Sequence, residues 1–453
     1  MDLKSVLNEL KPSKKEYKEM EDFIAKLTKL TGNLEKDVKP LVCGSVAKDT
    51  WISEKNEVDL FLLYDPKISK KELEKNGMIL AKKIVKELKG KHEIAFAEHP
   101  YLKAQIGKYQ VDIVPAYSIK DPEKIKSSVD RTPHHVKFVE KNLKKPDEVR
   151  LLKQFCIANK CYGADVKTLG FSGYLCELLI IKYGSFMKLA KDASKWRARY
   201  IIVFKNSNKE KAKKFKSPFI VVDPVDKNRN VGAAVSVEKF YIFINACKRF
   251  VDNPKREFFF PPETKPYSLE EVAKEIKKRG TRWYSISFER PKTVEDVLYP
   301  QMKRGKGAID KILTQNGFNV LRSDFYCDKK CVMVFEMKAW QIPKITKNIG
   351  PDVYSSHAEE FLKHYKQNEV FIENEKWVVE VERKFTTVLH FLKDLLKKSE
   401  KDLRERGLPS KIAPNIRKAV IAGGGDFLKE VKKMPEDFRR FLREWFEKDI
   451  NVV

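Results

Sequence analysis

Two apolar strands carry carboxylates where a buried strand tolerates no charge, and this constrains the chain more than any other feature. The first is Glu57-Val-Asp-Leu-Phe-Leu-Leu63, and the second is Tyr109-Gln-Val-Asp-Ile-Val114. Side chains alternate along a strand, so Glu57 and Asp59 share one face while Val58 and Leu60 take the other. Neighbouring carboxylates repel, and a lone Asp112 in an apolar strand costs several kcal/mol of desolvation unless it is paired or metal-bound. A hard cation such as Mg²⁺, which prefers oxygen ligands, relieves both problems. Placed on adjacent strands, Glu57, Asp59 and Asp112 are therefore candidate ligands and catalytic residues of a two-metal site. Such a site activates an attacking hydroxyl and stabilises a leaving pyrophosphate.

The segment upstream fits the same chemistry. Lys39-Pro-Leu-Val-Cys43 is a predicted strand ending in the turn Gly44-Ser45, with eleven residues between Ser45 and Glu57. Such a turn offers backbone N–H groups and a hydroxyl to phosphate oxygens. Lys48 adds positive charge. Around this core, the capping boxes Ser13–Glu16 and Ser69–Glu72 open helices, the second running to about Gly90. Strands are expected near Glu93–Ala97 and Gln110–Val114.

The 453 residues are 42% hydrophobic, enough for a large core and several domains, with an ordinary aromatic content that argues against wholesale disorder. Lys and Arg number 92 against 64 Asp and Glu, a net +28, so the expected partner is a polyanion, above all nucleic acid. Seven scattered cysteines point to free thiols in a reducing compartment. Cys327 and Cys331 have no second Cys or His pair nearby and make a poor zinc site. The N-terminus has no apolar signal-peptide core, and no apolar run approaches the roughly 18 residues of a membrane span. The expected location is the cytoplasm.

Three divisions are expected: a mixed α/β unit over 1–145, a mainly helical unit over 146–257, and an alternating unit over 258–453 beginning at Phe258-Phe-Phe-Pro-Pro262. The middle unit reads as helices at 146–159, 172–191 and 236–251, with short strands at 200–204 and 219–222. The last opens with a helix over 268–279 stopped by Gly280. Strands follow at 282–288, 320–326, 331–337 and 377–381, with a helix over 293–317, and helices close the chain. Basic tracts at 209–216 and 303–306 suit phosphate contacts as well as solvation.

The Gly-Ser turn followed by an acidic pair, with a third acid on a later strand, resembles the nucleotidyltransferase superfamily related to DNA polymerase β. Further segments sharpen this: Ala97-Glu-His-Pro-Tyr101, Asp130-Arg-Thr-Pro-His-His135, Glu148–Lys153, Tyr162-Gly-Ala, Gly170–Leu178, Asp223-Pro-Val-Asp226 with Arg229-Asn-Val231, and Glu295–Gln301. Together they resemble the archaeal (class I) CCA-adding enzymes, tRNA nucleotidyltransferases, over residues 30 to 365. The last 90 or so residues match only in helical character and charge. The first acid is Glu rather than the commoner Asp, which is the variant this family uses.

The resemblance implies an α+β multidomain fold: a polymerase β-like nucleotidyltransferase head with a mixed sheet, a helical neck, and an α/β body and tail that bind tRNA. It implies template-independent addition of C, C and A to the tRNA 3′ end from CTP and ATP, with Mg²⁺ as cofactor. The implied partner is tRNA, through its acceptor stem, T arm and 3′ end, and a homodimer is known in the family. It places Gly44, Ser45, Lys48, His135, Lys153, Tyr162 and Arg229 around the nucleotide, with Arg229 at the base edge. His135 and Tyr162 also suit helix capping or packing, and Asp226 with Arg229 suits a structural ion pair. A poly(A)-type nucleotidyltransferase and a non-catalytic tRNA-binding protein on the same fold remain the alternatives.

Overall fold

The computed structural model describes residues 1–96, 98–205 and 209–447, and divides into two compact units, Met1–Pro262 and the chain from Glu263 on. Ala97, at the end of an expected strand, lies outside the described residues. The side chains of Lys209 and Lys211 in the basic tract are likewise not described.

The first unit opens with helices α1 (Leu3–Leu10) and α2 (Lys14–Leu34), then strand β1 (Lys39–Cys43), the short helix α3 (Gly44–Ala47), β2 (Glu57–Tyr64) and α4 (Lys70–Glu87). Strands β3 (Lys91–Phe96), β4 (Pro100–Ile106) and β5 (Tyr109–Tyr117) complete a five-stranded sheet ordered β1-β2-β5-β4-β3. Only β2 and β5 run parallel. Both expected capping boxes are present: Ser13 with Glu16 opens α2, and Ser69 with Glu72 opens α4. β4 was not foreseen. Its Leu102, Ala104 and Ile106 are buried in alternation, the pattern of a strand with one solvated face.

The sheet's two faces explain the site. Val58, Leu60, Leu62, Val111 and Ile113 face α2 and α4 and pack with Leu27, Leu73, Leu80 and Ile84. Each such fully buried side chain stabilises the fold by about 1.5–3 kcal/mol. The other face is apolar only at its far end, where Phe61, Leu63, Val114 and Ala116 pack with Val136. Its near end carries the carboxylates.

Next come α5 (Thr132–Asn142), α6 (Pro146–Ala158), α7 (Gly173–Tyr183) and α8 (Phe186–Ala193). The sequence suggested one helix over 172–191. It breaks because Gly184 adopts a left-handed φ of 78° and Ser185 caps a new helix. Two short strands, β6 (Tyr200–Ile202) and β7 (Phe219–Val221), pair in parallel. A helix over Val237–Asp252 follows, and an aromatic core of Phe155, Phe186, Phe243, Phe250, Phe258 and Phe259 closes the unit. Phe258 and Phe259 of the aromatic run thus belong to the core, with Phe260 packed half-buried against it.

The second unit starts with a helix, Leu269–Arg279, ended by Gly280 with a φ of 60°. Strands β8 (Arg282–Glu289), β9 (Asn319–Cys327) and β10 (Lys330–Ala339) follow, and the helix Glu295–Gln315 lies between β8 and β9. Further strands are β11 (Ile345–Asp352), β12 (Val370–Glu373), β13 (Lys376–Glu382) and β14 (Val420–Gly423). They form one sheet ordered β14-β8-β10-β9 and another ordered β11-β13-β12. β11, β12 and β14 were not foreseen. All seven cysteines are free thiols. Among the described residues, no helix is long and apolar enough to cross a membrane.

Candidate active site

β2 and β5 align so that Asp59 sits directly opposite Asp112, while Glu57 stands exposed at the start of β2. Burial is the main force raising the Asp59 carboxyl; Lys48 opposes the rise and Glu57 adds to it. Asp112 is pushed up to about 6, first by burial and then by the charge of Asp59, with Lys103 opposing. Two acids that each lose affinity for their own negative charge are chemically suited to share a cation. Among the described residues, no three His, Cys, Asp or Glu side chains already converge as a ligand set. A cavity of about 650 Å³ opens over the three carboxylates and is also lined by Lys91, His92, Lys103, Gln105 and Gln110.

Gly44 follows β1 with a φ of 70°, and Cys43 pairs with Asp59 across β1 and β2. A Cβ at position 44 would collide with Asp59 Oδ2. Glycine is therefore needed both for the backbone conformation and for the close approach to the carboxylate. The α3 turn leads to Lys48, whose Nζ lies 2.5 Å from Glu177 Oε2. Thr50 Oγ1 donates to Glu177 Oε1 at 2.7 Å. Lys153 Nζ, from α6, donates to Thr50 O at 2.9 Å and lies 3.9 Å from Glu177 Oε1. Burial lowers the Lys153 ammonium, and Glu177 opposes that. Two buried ammonium groups thus share one buried carboxylate. Tyr162 closes this corner: its hydroxyl and the Lys153 ammonium both flank Gly173 at the start of α7. Burial holds the phenol well above its usual value, helped by Cys176 and Glu177.

A second cluster gathers on Asp223. His135 Nε2 lies 2.9 Å from Asp223 Oδ2, and Arg229 Nη1 donates to the same oxygen at 2.8 Å. Tyr174 OH and the Val225 N–H donate to Oδ1. Burial opposes ionisation of Asp223, but its bonds to His135, Val225 and Arg229 outweigh it and hold the carboxyl well below the usual range. Burial lowers His135, against the pull of Asp223. The His135 ring stacks on Tyr174 at 4.0 Å, and Lys48 Nζ lies 5.8 Å from the centroid of the same tyrosine ring. The suggested Asp226–Arg229 ion pair is not formed: Arg229 takes Asp223, and Asp226 takes Arg131 at 2.9 Å. His134 is also buried but stands outside this cluster, with an unpartnered Nε2.

Glu177, Asp223 and Tyr174 were missed as site residues. Glu177 had a signal: it is the one charge in Leu175-Cys-Glu-Leu-Leu179, the same anomaly that singled out Asp112. Arg150, fully buried, also escaped notice. It reaches Trp51 O, Asp49, Asp147 and the Tyr17 hydroxyl, tying the loop after Lys48 to α6.

Three families match along the chain: a nucleotidyltransferase domain over 24–135, the second domain of tRNA nucleotidyltransferase over 147–260, and the C-terminal domain of CCA-adding enzyme over 279–419. The CCA-adding enzyme of Methanocaldococcus jannaschii is 38% identical over 436 residues, covering 92% of this chain and 94% of its own. That of Methanosarcina mazei is 36% identical and covers 98% of both chains. That of Archaeoglobus fulgidus is 38% identical, covering 78% of this chain and 80% of its own.

Proposed function

The chain belongs to the family of archaeal CCA-adding enzymes, nucleotidyltransferases that extend tRNA by C, C and A without a template, and we propose that it does so from CTP and ATP through the site built on Glu57, Asp59 and Asp112. The in-register opposition of Asp59 and Asp112 carries this reading, because two carboxyls that burial raises lie together, with Asp59 beside the Gly44 turn. Glu57 would join them by a side-chain rotation. Divalent metal suits this donor set, and Mg²⁺ is the ion we propose; bound there it would supply Lewis-acid activation and charge neutralisation.

The chain's own residues do the positioning. Gly44 and Ser45 present backbone N–H groups and a hydroxyl to the triphosphate. Lys48 and Lys153 offset its charge, while Glu177 keeps both ammonium groups paired before a nucleotide arrives. Tyr162 and His135 flank the phosphates and sugar. Asp223 fixes one arm of the Arg229 fork, so its remaining donors meet the base edge. Cytosine offers the acceptors O2 and N3, and adenine N1; uracil and guanine present an N–H there, which a cationic donor rejects. The tRNA 3′ oxygen bonds to the α-phosphorus, the bond to the β-phosphate oxygen breaks, pyrophosphate leaves, and the hydroxyl proton passes to solvent.

In this reading residues 1–145 form the catalytic head, 146–257 the neck that completes the pocket, and 258–453 the body and tail that grip the tRNA acceptor stem and T arm. The proposed location is the cytoplasm, and the homodimer known in the family is the assembly to test by light scattering. The test is incubation with Mg²⁺ and a tRNA lacking its CCA end, with the four nucleoside triphosphates singly and together. Two C residues from CTP alone, completed by one A with ATP, is the expected product. Unlimited A addition would move the chain to the poly(A) class, and tRNA binding without incorporation would favour the non-catalytic alternative.

A further inference from the structure

The first unit holds another cavity, open to solvent at its mouth, that the reaction above does not use. It has about 360 Å³, at the small end of ligand-sized cavities. Lys67, Ser69 and Lys70 line it from the start of α4, Tyr117 from the end of β5, and His99, Lys126 and Ser127 from the flanking turns. Along β5, Tyr117 lies five residues, about 16 Å, beyond Asp112.

His99 is 3% exposed. Its Nε2 lies 2.7 Å from Pro115 O. A carbonyl oxygen only accepts, so Nε2 carries the proton and Nδ1 of the neutral ring is an acceptor. That Nδ1 is buried and has no hydrogen-bond partner. The Ser127 hydroxyl, 8% exposed as a residue, has none either. A buried acceptor without a donor is costly, which marks the place for a ligand group that donates. Ile68 and Leu73 add apolar lining, the carboxylates of Glu72 and Asp130 act on Tyr117 from behind it, and the charges among the lining residues themselves are lysines. Lys67, Lys70 and Lys126 are exposed at its mouth, and Lys126 Nζ is held by Pro66 O at 2.5 Å above the Tyr117 ring. The 18-residue helix α4 adds the positive end of its dipole.

We propose that this cavity binds a phosphorylated sugar, with a sugar hydroxyl donating to His99 Nδ1, the Ser127 hydroxyl completing the sugar's hydrogen bonds, and Lys67, Lys70 and Lys126 taking the phosphate. The unit comes from a free sugar phosphate or nucleotide, or from the backbone of an RNA strand; both present a hydroxyl beside a phosphate.

The test uses the full chain labelled with ¹³C and ¹⁵N at histidine, titrated with ribose 5-phosphate, inorganic phosphate and a short single-stranded RNA. The His99 resonance is assigned by a His99→Gln variant. Should that variant fail to fold, assignment rests on the Lys67→Ala/Lys70→Ala double variant, whose side chains are exposed. Saturable movement of His99 by ribose 5-phosphate is expected, with affinity reduced about tenfold in the lysine double variant. RNA moving His99 at lower concentration assigns the source to a strand; ribose 5-phosphate acting where RNA does not assigns it to a free sugar phosphate. His135 reports the nucleotide pocket, so a ligand moving His135 and not His99 overturns the proposal. Inorganic phosphate moving His99 as strongly as ribose 5-phosphate also overturns it, because phosphate alone leaves the sugar contact without a role. An equal response in the lysine double variant does the same.

Discussion

At the scale of single residues, the site depends on groups that touch each other before any substrate arrives. Gly44 is the tightest case. A methyl group there meets Asp59 Oδ2, and the backbone φ of 70° disfavours any L side chain. Gly44→Ala should lower incorporation at least about 100-fold, the scale of displacing catalytic groups by an ångström, while tRNA binding persists in a filter assay. Glu177 is the second case. It is 1% exposed and answers two ammonium groups. Glu177→Gln leaves both without a counter-charge, and removing one partner of a buried pair costs about 3–5 kcal/mol. Urea unfolding should show that loss; an unchanged midpoint would mean the lysines were never charge-paired. The carboxylates were legible in the sequence because a charge inside an apolar strand has few explanations. Asp223 was not, because its meaning comes from gathering nearby Arg229 with His135 and Tyr174, and those two arrive from distant parts of the chain.

At the scale of elements, the helix N-termini were the most legible part, because a capping box is local and its hydrogen bonds are written within four residues. Ser13 and Glu16 show how far such a signal reaches. Glu16 accepts not only from Ser13 but also from the Ser53 hydroxyl and the Glu54 N–H, so the cap of α2 also fixes the loop before β2. Burial opposes its charge, but the N–H groups of Ser13 and Glu54 and the two serine hydroxyls hold the carboxyl down to about 2, from an ordinary value of 4.5. A depressed carboxyl stabilises the fold above its unfolded value and loses that contribution as pH falls toward its folded one. The stability gap between the natural chain and Glu16→Gln should be full above pH 4.5 and shrink between 4.5 and 2. Urea titrations at pH 5.5 and pH 3.5 read this directly, and a gap that does not narrow removes Glu16 as its source. The four-residue strands β12 and β14 stayed illegible because a short strand is defined by its neighbours across the sheet rather than by its own sequence, and the eight-residue β11 because Lys347, Asn348, Gly350 and Pro351 give it no apolar strand pattern.

At the scale of the whole molecule, the proposed function gives the charge of +28 and the carboxylate site different parts of the same substrate. In it, Lys and Arg meet phosphates of the tRNA backbone, a kind of binding that releases counterions. The carboxylates, on the same proposal, meet only the reacting end. Two consequences separate them. Asp59→Ala should abolish incorporation while leaving the tRNA dissociation constant within about threefold, since a single carboxylate among 64 acids barely alters the field that attracts RNA. Salt should do the reverse. Each phosphate neutralised contributes a slope of roughly 0.7–0.9 to the fall of log affinity with log salt, so several contacts cost orders of magnitude between 50 and 200 mM. With tRNA held saturating, turnover should vary far less across that range than affinity does. Filter binding and single-turnover incorporation, run on the natural chain and on Asp59→Ala at both salt concentrations, give all the required values. If salt suppressed saturated turnover as steeply as binding, surface charge would be taking part in the chemical step, and the division between a charged grip and a carboxylate engine would fail.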